Sequence, residues 1–162
     1  TQGVSSAASD VYKRQLEKLA GQPFHQGVVA AVRAHPTLNE KDLESLLSAN
    51  PQALLLALDH ITDPHNLGAC IRTAAAMGVE AVIAPRDRSA TLTPTARKVA
   101  AGGADKVKFI QVTNLARTLG QIKEDFNVRV VGTMLDEKAL PIQNFDFTGT
   151  GVCIVMLSLI HI

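Results

Sequence analysis

The chain has 162 residues, 46% of them apolar and 19% charged, enough for one packed domain with at most a small appendage and too apolar for disorder. Aromatic residues make up 4% with no tryptophan, so the core must come from Ala, Val, Leu and Ile, and a multi-aromatic platform for stacking single-stranded RNA is disfavoured. A net charge of +1 excludes a polycation and leaves any nucleic-acid contact to local charge. The two cysteines, Cys70 and Cys153, make neither a CxxC pair nor a disulfide framework and fit a reducing, cytosolic compartment. No run nears the ~18 apolar residues of a membrane span, and the N-terminus lacks the basic-then-apolar order of a secretory signal.

In chain order, Thr1–Gln15 (TQGVSSAASDVYKRQ) comes first and Leu157–Ile162 (LSLIHI) last. Both resemble translated adapter or linker sequence and are expected to lie outside the native fold. The alternative is a frayed polar N-terminus and a final apolar strand. Residues 16–35 contain a β-like run, Val28–Val32, which stops at Arg33-Ala34-His35-Pro36. One strand cannot fold alone, so this run should be the tail of a larger upstream unit. Residues 36–53 read as a linker with a short helix, capped by Asn39 before Asp42–Leu47 and ended by Pro51.

Beyond that point, Leu54–Leu58, Ala81–Ala84, Val107–Val112, Val128–Gly132 and Val152–Met156 are short runs, mostly apolar throughout, as buried parallel strands are. Helical patterns lie between them at 64–77, about 93–102 and 114–124, the last capped by Thr113-Asn114, and Gly102-Gly103 reads as a helix stop. The alternation predicts an α/β fold, a parallel sheet with helices on both faces.

Sites in open parallel sheets gather at the carboxyl ends of strands. The first strand leaves through Asp59-His60-Ile61-Thr62-Asp63-Pro64-His65-Asn66-Leu67-Gly68-Ala69-Cys70-Ile71-Arg72. Asp63-Pro64 is an N-cap with proline in the first helical position, and a helix N-terminus favours an anion. Helix geometry sends Arg72 back across Gly68 toward Asn66, a guanidinium and a carboxamide suited to a phosphate or ribose. The alternative is that Asn66 caps the helix, Gly68 packs closely on the sheet and Arg72 makes a surface pair. His60, Asp63 and His65 lack a fourth ligand and a helix-spaced pair, so no metal is expected. His25 and His35 have no recognisable partner. There is no Ser-His-Asp order, GxGxxG or Walker loop. Between Pro85 and Lys108, Arg86, Arg88, Arg97, Lys98, Lys106 and Lys108 face only Asp87 and Asp105, a local balance of +4. Arg86, Arg88 and Lys98 are candidate contacts to an RNA backbone.

Asn66-Leu67-Gly68-Ala69-Cys70-Ile71-Arg72 resembles the first motif, N-x-G-x-x-x-R, of the SpoU/TrmH branch of the SPOUT RNA methyltransferases. The segment from Leu58 to Val107 is similar almost phrase by phrase to members that methylate guanosine 2'-hydroxyls of bacterial 23S rRNA. Phe24-His25-Gln26-Gly27 and the run after it resemble the end of their small N-terminal substrate-binding domain. The resemblance implies a C-terminal trefoil knot that holds S-adenosylmethionine, a cytoplasmic homodimer, and RNA, most readily rRNA and otherwise tRNA, as methyl acceptor without a metal. It implies that Asn66 and Arg72 belong to the catalytic and RNA-binding site, and that Thr133 and Met134 lie in a loop touching the donor. After Met156 the family continues into glycine-, glutamate-, serine- and asparagine-containing motifs. LSLIHI stands here instead, and Asp105 replaces an expected glutamate. The chain is thus expected to be a fragment with a partial methyltransferase domain at 54–156, lacking the knot and binding the donor negligibly. The reaction implied is attack of a ribose 2'-oxygen on a sulfonium methyl. Arg72 serves as the clamp on phosphate, since a guanidinium stays protonated, and Asn66 orients the ribose; a reading in which the arginine takes the proton stays open. The rival readings are a non-catalytic RNA-binding module and an unrelated nucleotide-binding α/β enzyme.

Overall fold

The computed structural model describes residues 7–21, 37–134, 136–137 and 139–157. The chain divides into two units at the bond between Pro36 and Thr37. In the first, Ala7–Ala20 forms one helix, α1, followed by Gly21 at φ 66, the left-handed conformation that commonly stops a helix. The β-like run at Val28–Val32 lies outside the described residues.

The second unit begins at its sheet edge. Leu38 makes a parallel bridge to Ile110, and α2 (Glu40–Ala49) follows. Asn39 caps it as expected: its Oδ1 accepts from the Lys41 N–H at 2.9 Å, and Asp42 Oδ2 accepts from the Asn39 N–H at 2.8 Å. The two bonds form a reciprocal capping box. Leu43, Leu46 and Leu47 are buried in the core, so this short helix packs as a member of the domain.

Five strands form one parallel sheet: β1 (Leu54–Asp59), β2 (Ala81–Pro85), β3 (Lys108–Val112), β4 (Arg129–Thr133) and β5 (Val152–Leu157). Their order across it is β3-β2-β1-β5-β4. The chain first steps outward from β1 through α3 (Pro64–Ala76) and α4 (Pro94–Ala100), then jumps back over the sheet through α5 (Leu115–Asp125). Right-handed crossovers running in opposite directions must use opposite faces. Two cores result. Leu55, Ala57, Ile83 and Ile110 meet α2 and α5 on one side, while Leu56, Leu58 and Val82 meet Leu67 and Ile71 of α3 and Ala96 of α4 on the other.

From α2 onward the helix and strand boundaries differ from the sequence reading by one or two residues, while α1 and the 3-10 turns Gly103–Asp105 and Ile142–Asn144 are new. Instead of a simple stop, Ala101 and Gly102 adopt φ 49 and 83, and Gly103–Asp105 makes a 3-10 turn before β3. Cover is also uneven. Leu58 is fully buried, whereas Ile154 and Val131 are only half-buried and Met156 is 41% exposed on the same face. No helix among the described residues is long and apolar enough to cross a membrane.

Cys153 lies at the sheet centre, and burial pushes its thiol up to about 12 despite a bond to the Ala57 backbone. Its folded value is raised, so the unfolded thiol ionises first and stability is lost as pH rises from about 9 toward 12. A thiol reagent at pH 8 should label Cys153 only after denaturation; labelling in the folded chain would contradict this packing.

Candidate active site

All five strands end at one sheet edge, in the spatial order Val112, Pro85, Asp59, Leu157, Thr133. Neighbouring strands stand about 4.8 Å apart. The β1–β5 boundary lies mid-sheet, with β2 and β3 on one side of it and β4 beyond β5 on the other, and the carboxyl ends of strands in such sheets are the usual position of a ligand crevice. Asp59 and His60 stand at this boundary, with His60 at φ 55 and its Nδ1 2.5 Å from Asp59 Oδ1.

Asp63 caps α3, its Oδ1 accepting from the His65 N–H at 3.0 Å, with Pro64 in the first turn. The cap carboxylate therefore already supplies the negative charge that this helix end favours, so the anion-binding part of the expectation is met internally. Asn66 comes in the first turn of the helix and Arg72 one and a half turns later; both are exposed. Neither side chain has a hydrogen-bond partner among the described residues.

Gly68 does not clear a path between them. It is buried, and a Cβ there would stand 2.5 Å from the Ala96 carbonyl oxygen and 2.7 Å from Val99 Cβ. Its missing side chain admits α4, not Arg72. The path of Arg72 across Gly68 to Asn66 is thus filled by a neighbouring helix, and six residues of helix also separate the two by about 9 Å along the axis. Nor does Asn66 cap the helix, since Asp63 does. Gly103 makes a second close approach, where a Cβ would stand 3.1 Å from Arg72 Cα.

The β2–α4 loop is tied to the β1–α3 loop by the Ala90 N–H, which donates to the Ile61 carbonyl at 2.7 Å. Arg86 and Arg88 are exposed on this loop, Arg88 at φ 55, a costly conformation for a residue with a side chain. Lys98 is exposed in the last turn of α4 and Lys106 and Lys108 at the start of β3. The +4 segment is therefore split between opposite sheet edges, and Arg97 stands 3.9 Å from Asp105. At the end of β4, Thr133 and Met134 are exposed, and Thr133 Oγ1 donates to the Val155 carbonyl at 3.1 Å. Sequence reading missed Ser89 and Gln111, whose Oγ and Nε2 are buried without a partner among the described residues. A glutamine inside the apolar run Val107–Val112 was the available signal.

The model of the SpoU rRNA methylase family matches residues 53–156. The chain belongs to that family. Among curated SpoU relatives, it is 81% identical over 141 residues to the 23S rRNA (guanosine-2'-O-)-methyltransferase RlmB of Acinetobacter baylyi, covering 87% of this chain and 56% of the relative. It is 49% identical over 121 residues to RlmB of Escherichia coli, covering 75% and 49%. The chain thus spans about half the length of the curated relatives it matches. Among solved structures, the SpoU methyltransferase AviRb from Streptomyces viridochromogenes, in complex with AdoMet, aligns at a TM-score of 0.60 and 19% identity over 71% of this chain and 47% of that one. An rRNA methyltransferase from Sinorhizobium meliloti aligns at 0.61 and 22%, over 75% and 44%. These two share the SpoU fold.

Gly68→Ala should force α3 and α4 apart, because the clash is with backbone. A loss of about 2–3 kcal/mol is expected from overpacking, read as a lower urea midpoint. An unchanged midpoint would show that the two helices can separate freely.

Proposed function

We propose that the protein to which this chain belongs transfers the methyl group of S-adenosylmethionine to a guanosine ribose 2'-hydroxyl of 23S rRNA. The 81% identity with the Acinetobacter baylyi enzyme over 141 residues is the observation that carries this reading. Residues 16–35 then belong to the tail of an N-terminal substrate-binding domain and 54–156 to the methyltransferase domain.

The donor, when bound, supplies a methyl group activated by a sulfonium charge, so the chain's own residues have only to align atoms and manage a proton. The end of β4 fits one wall of a donor pocket. Thr133 and Met134 are exposed there, and a Cβ on Gly132 would meet nothing within 4 Å. Thr133 uses its hydroxyl on Val155, leaving backbone groups and the Met134 side chain for the donor. Across β5, Asn66 orients the acceptor ribose through its carboxamide. Arg72 holds the acceptor phosphate and the charge that develops during transfer, in keeping with a guanidinium that stays protonated. Arg86 and Arg88 hold neighbouring phosphates, and Lys98, placed toward the other edge, serves only a longer RNA path.

The intact protein is a homodimer in this reading, supported by exposed Met134, Leu140, Ile142 and Met156 in and around β4 and β5. It works in the cytoplasm, which suits its free thiols Cys70 and Cys153.

Labelled-donor transfer to unmodified 23S rRNA by the full-length protein tests the reading, and mapping to a base instead of a ribose would overturn it. Arg72→Ala should lower the transfer rate roughly 30- to 1000-fold, corresponding to ~2–4 kcal/mol, with donor affinity unchanged by calorimetry. Near-normal turnover would reduce Arg72 to a surface residue. Replacing Arg86 and Arg88 together by Ala should weaken all single-stranded RNAs alike and lower the salt slope by about 1.4, at about 0.7 per phosphate contact. Loss of preference for one RNA at an unchanged slope would mean that these residues read bases or shape.

A further inference from the structure

Two side chains beside the exposed arginines are left with a cost that the fold does not explain. Ser89 Oγ and Gln111 Nε2 are buried with no partner among the described residues. Gln111 is only 7% exposed and comes one residue before the end of β3, in register with Ala84 of β2. Alternate residues of a strand share a face, so its side chain lies with Phe109 on the α3 and α4 side of the sheet. Ala90 and Leu92, from the loop after β2, pack on that same side. The Arg86 N–H ties the start of this loop to Val112, the residue after Gln111. Ser89 and Gln111 thus belong to one corner of the domain, at the carboxyl edge where Arg86 and Arg88 are exposed. An unpaired buried donor lowers stability, and a leucine or valine in β3 would have avoided it.

We infer that Gln111 and Ser89 are specificity-determining residues that read a guanine of the bound RNA, by its N7 and O6, in a nucleotide whose phosphate lies on Arg86 or Arg88. This rests on the reading that the protein methylates RNA and that these arginines hold phosphates, and it supplies the base contacts that phosphate contacts lack. A hydroxyl and an amide N–H both donate, and guanine presents two acceptors side by side, N7 and O6. A phosphate suits the corner less well, because an anion buried away from the solvent-facing guanidinium groups costs more than a neutral base. The guanine reaches both donors when Asp87, Arg88 and Ser89 swing aside. Arg86 and Ala90 keep their backbone bonds to Val112 and Ile61 on either side of that turn, and Arg88 leaves its costly φ of 55 as the turn opens. β3 is two strand spacings, about 10 Å, from β1, so Gln111 acts on the choice of RNA and not on the methyl transfer.

The test compares the full-length wild type with Gln111→Leu and with Ser89→Ala. The probes are in vitro transcribed 23S rRNA and the same transcript made with 7-deazaguanosine, which lacks N7, or with 6-thioguanosine, whose sulfur accepts more weakly than O6. On the ordinary transcript, Gln111→Leu should raise KM, and Kd by filter binding, about tenfold, the worth of a good base contact, and leave kcat within about twofold. At least one analogue should raise the wild-type KM and Kd as much, yet change those of Gln111→Leu by less than about twofold, because the contact is already lost. Ser89→Ala should show the same coupling in the same direction, and its absence would strike Ser89 from the inference. The urea midpoint of Gln111→Leu should hold or rise, since an unpaired buried donor is gone. A lower midpoint would give Nε2 a partner within the fold and overturn the inference. Unchanged KM and Kd for Gln111→Leu, or analogue effects equal in wild type and Gln111→Leu, would overturn it as well and leave the two donors to water. If the wild type methylates no transcript, the functional reading fails, while the Kd values still decide whether Gln111 reads guanine.

Discussion

The close approach of α3 and α4 at Gly68 is the contact on which the site depends. With no side chain at this position, the Ala96 carbonyl and Val99 come within the space that a Cβ would occupy. Both helices can then lie flat on one face of the sheet, burying Leu67, Ile71, Ala96 and Ala100 over Leu56, Leu58 and Val82. The position of α3 in turn sets Asn66 at the sheet edge and Arg72 further along, with the Arg72 backbone seated against Gly103. Two glycines thus fix one helix on two sides. The N-x-G spacing is in this respect a packing requirement as well as a functional pattern: the glycine holds the helix whose exposed positions carry the asparagine and arginine.

Strand order converts scattered sequence positions into a row. Glu40 and Thr113, Arg86, Asn66 and its loop, and Thr133 with Met134 are far apart in the chain, yet they follow β3, β2, β1 and β4 along a single edge. The insertion of β5 between β1 and β4 separates the Asn66 end of the edge from Thr133 and Met134 by two strand spacings, about 10 Å. That spacing arises because α5 carries the chain back over the sheet after β3.

Much of the fold was legible because buried parallel strands are apolar on both faces, and each of the five runs from Leu54 to Met156 became a strand. The caps Asn39, Asp63 and Asn114 were legible as well, since capping is decided within three or four residues. What remained hidden depends on partners distant in sequence. The neighbours of Gly68 lie about thirty residues away on another helix, so its motif could be read while its reason could not. Glu40 meets Thr113 across 73 residues, and nothing in either local pattern announces the pairing. The basic segment misled for a related reason. Lys98, Lys106 and Lys108 are near Arg86 in sequence, but the 3-10 turn at Gly103–Asp105 and the reversal through α4 carry them toward the opposite edge.

The bond from the Ala90 N–H to the Ile61 carbonyl joins the loop that leads into α3 and Asn66 to the loop that carries Arg86 and Arg88. Two loops cross-tied in this way form a single plate whose spacing is established during folding. The conformational entropy of ordering these side chains' backbones is then lost before any polynucleotide arrives and need not be lost again on contact. Whatever binds at this edge thus meets two loops whose spacing one backbone hydrogen bond has already set.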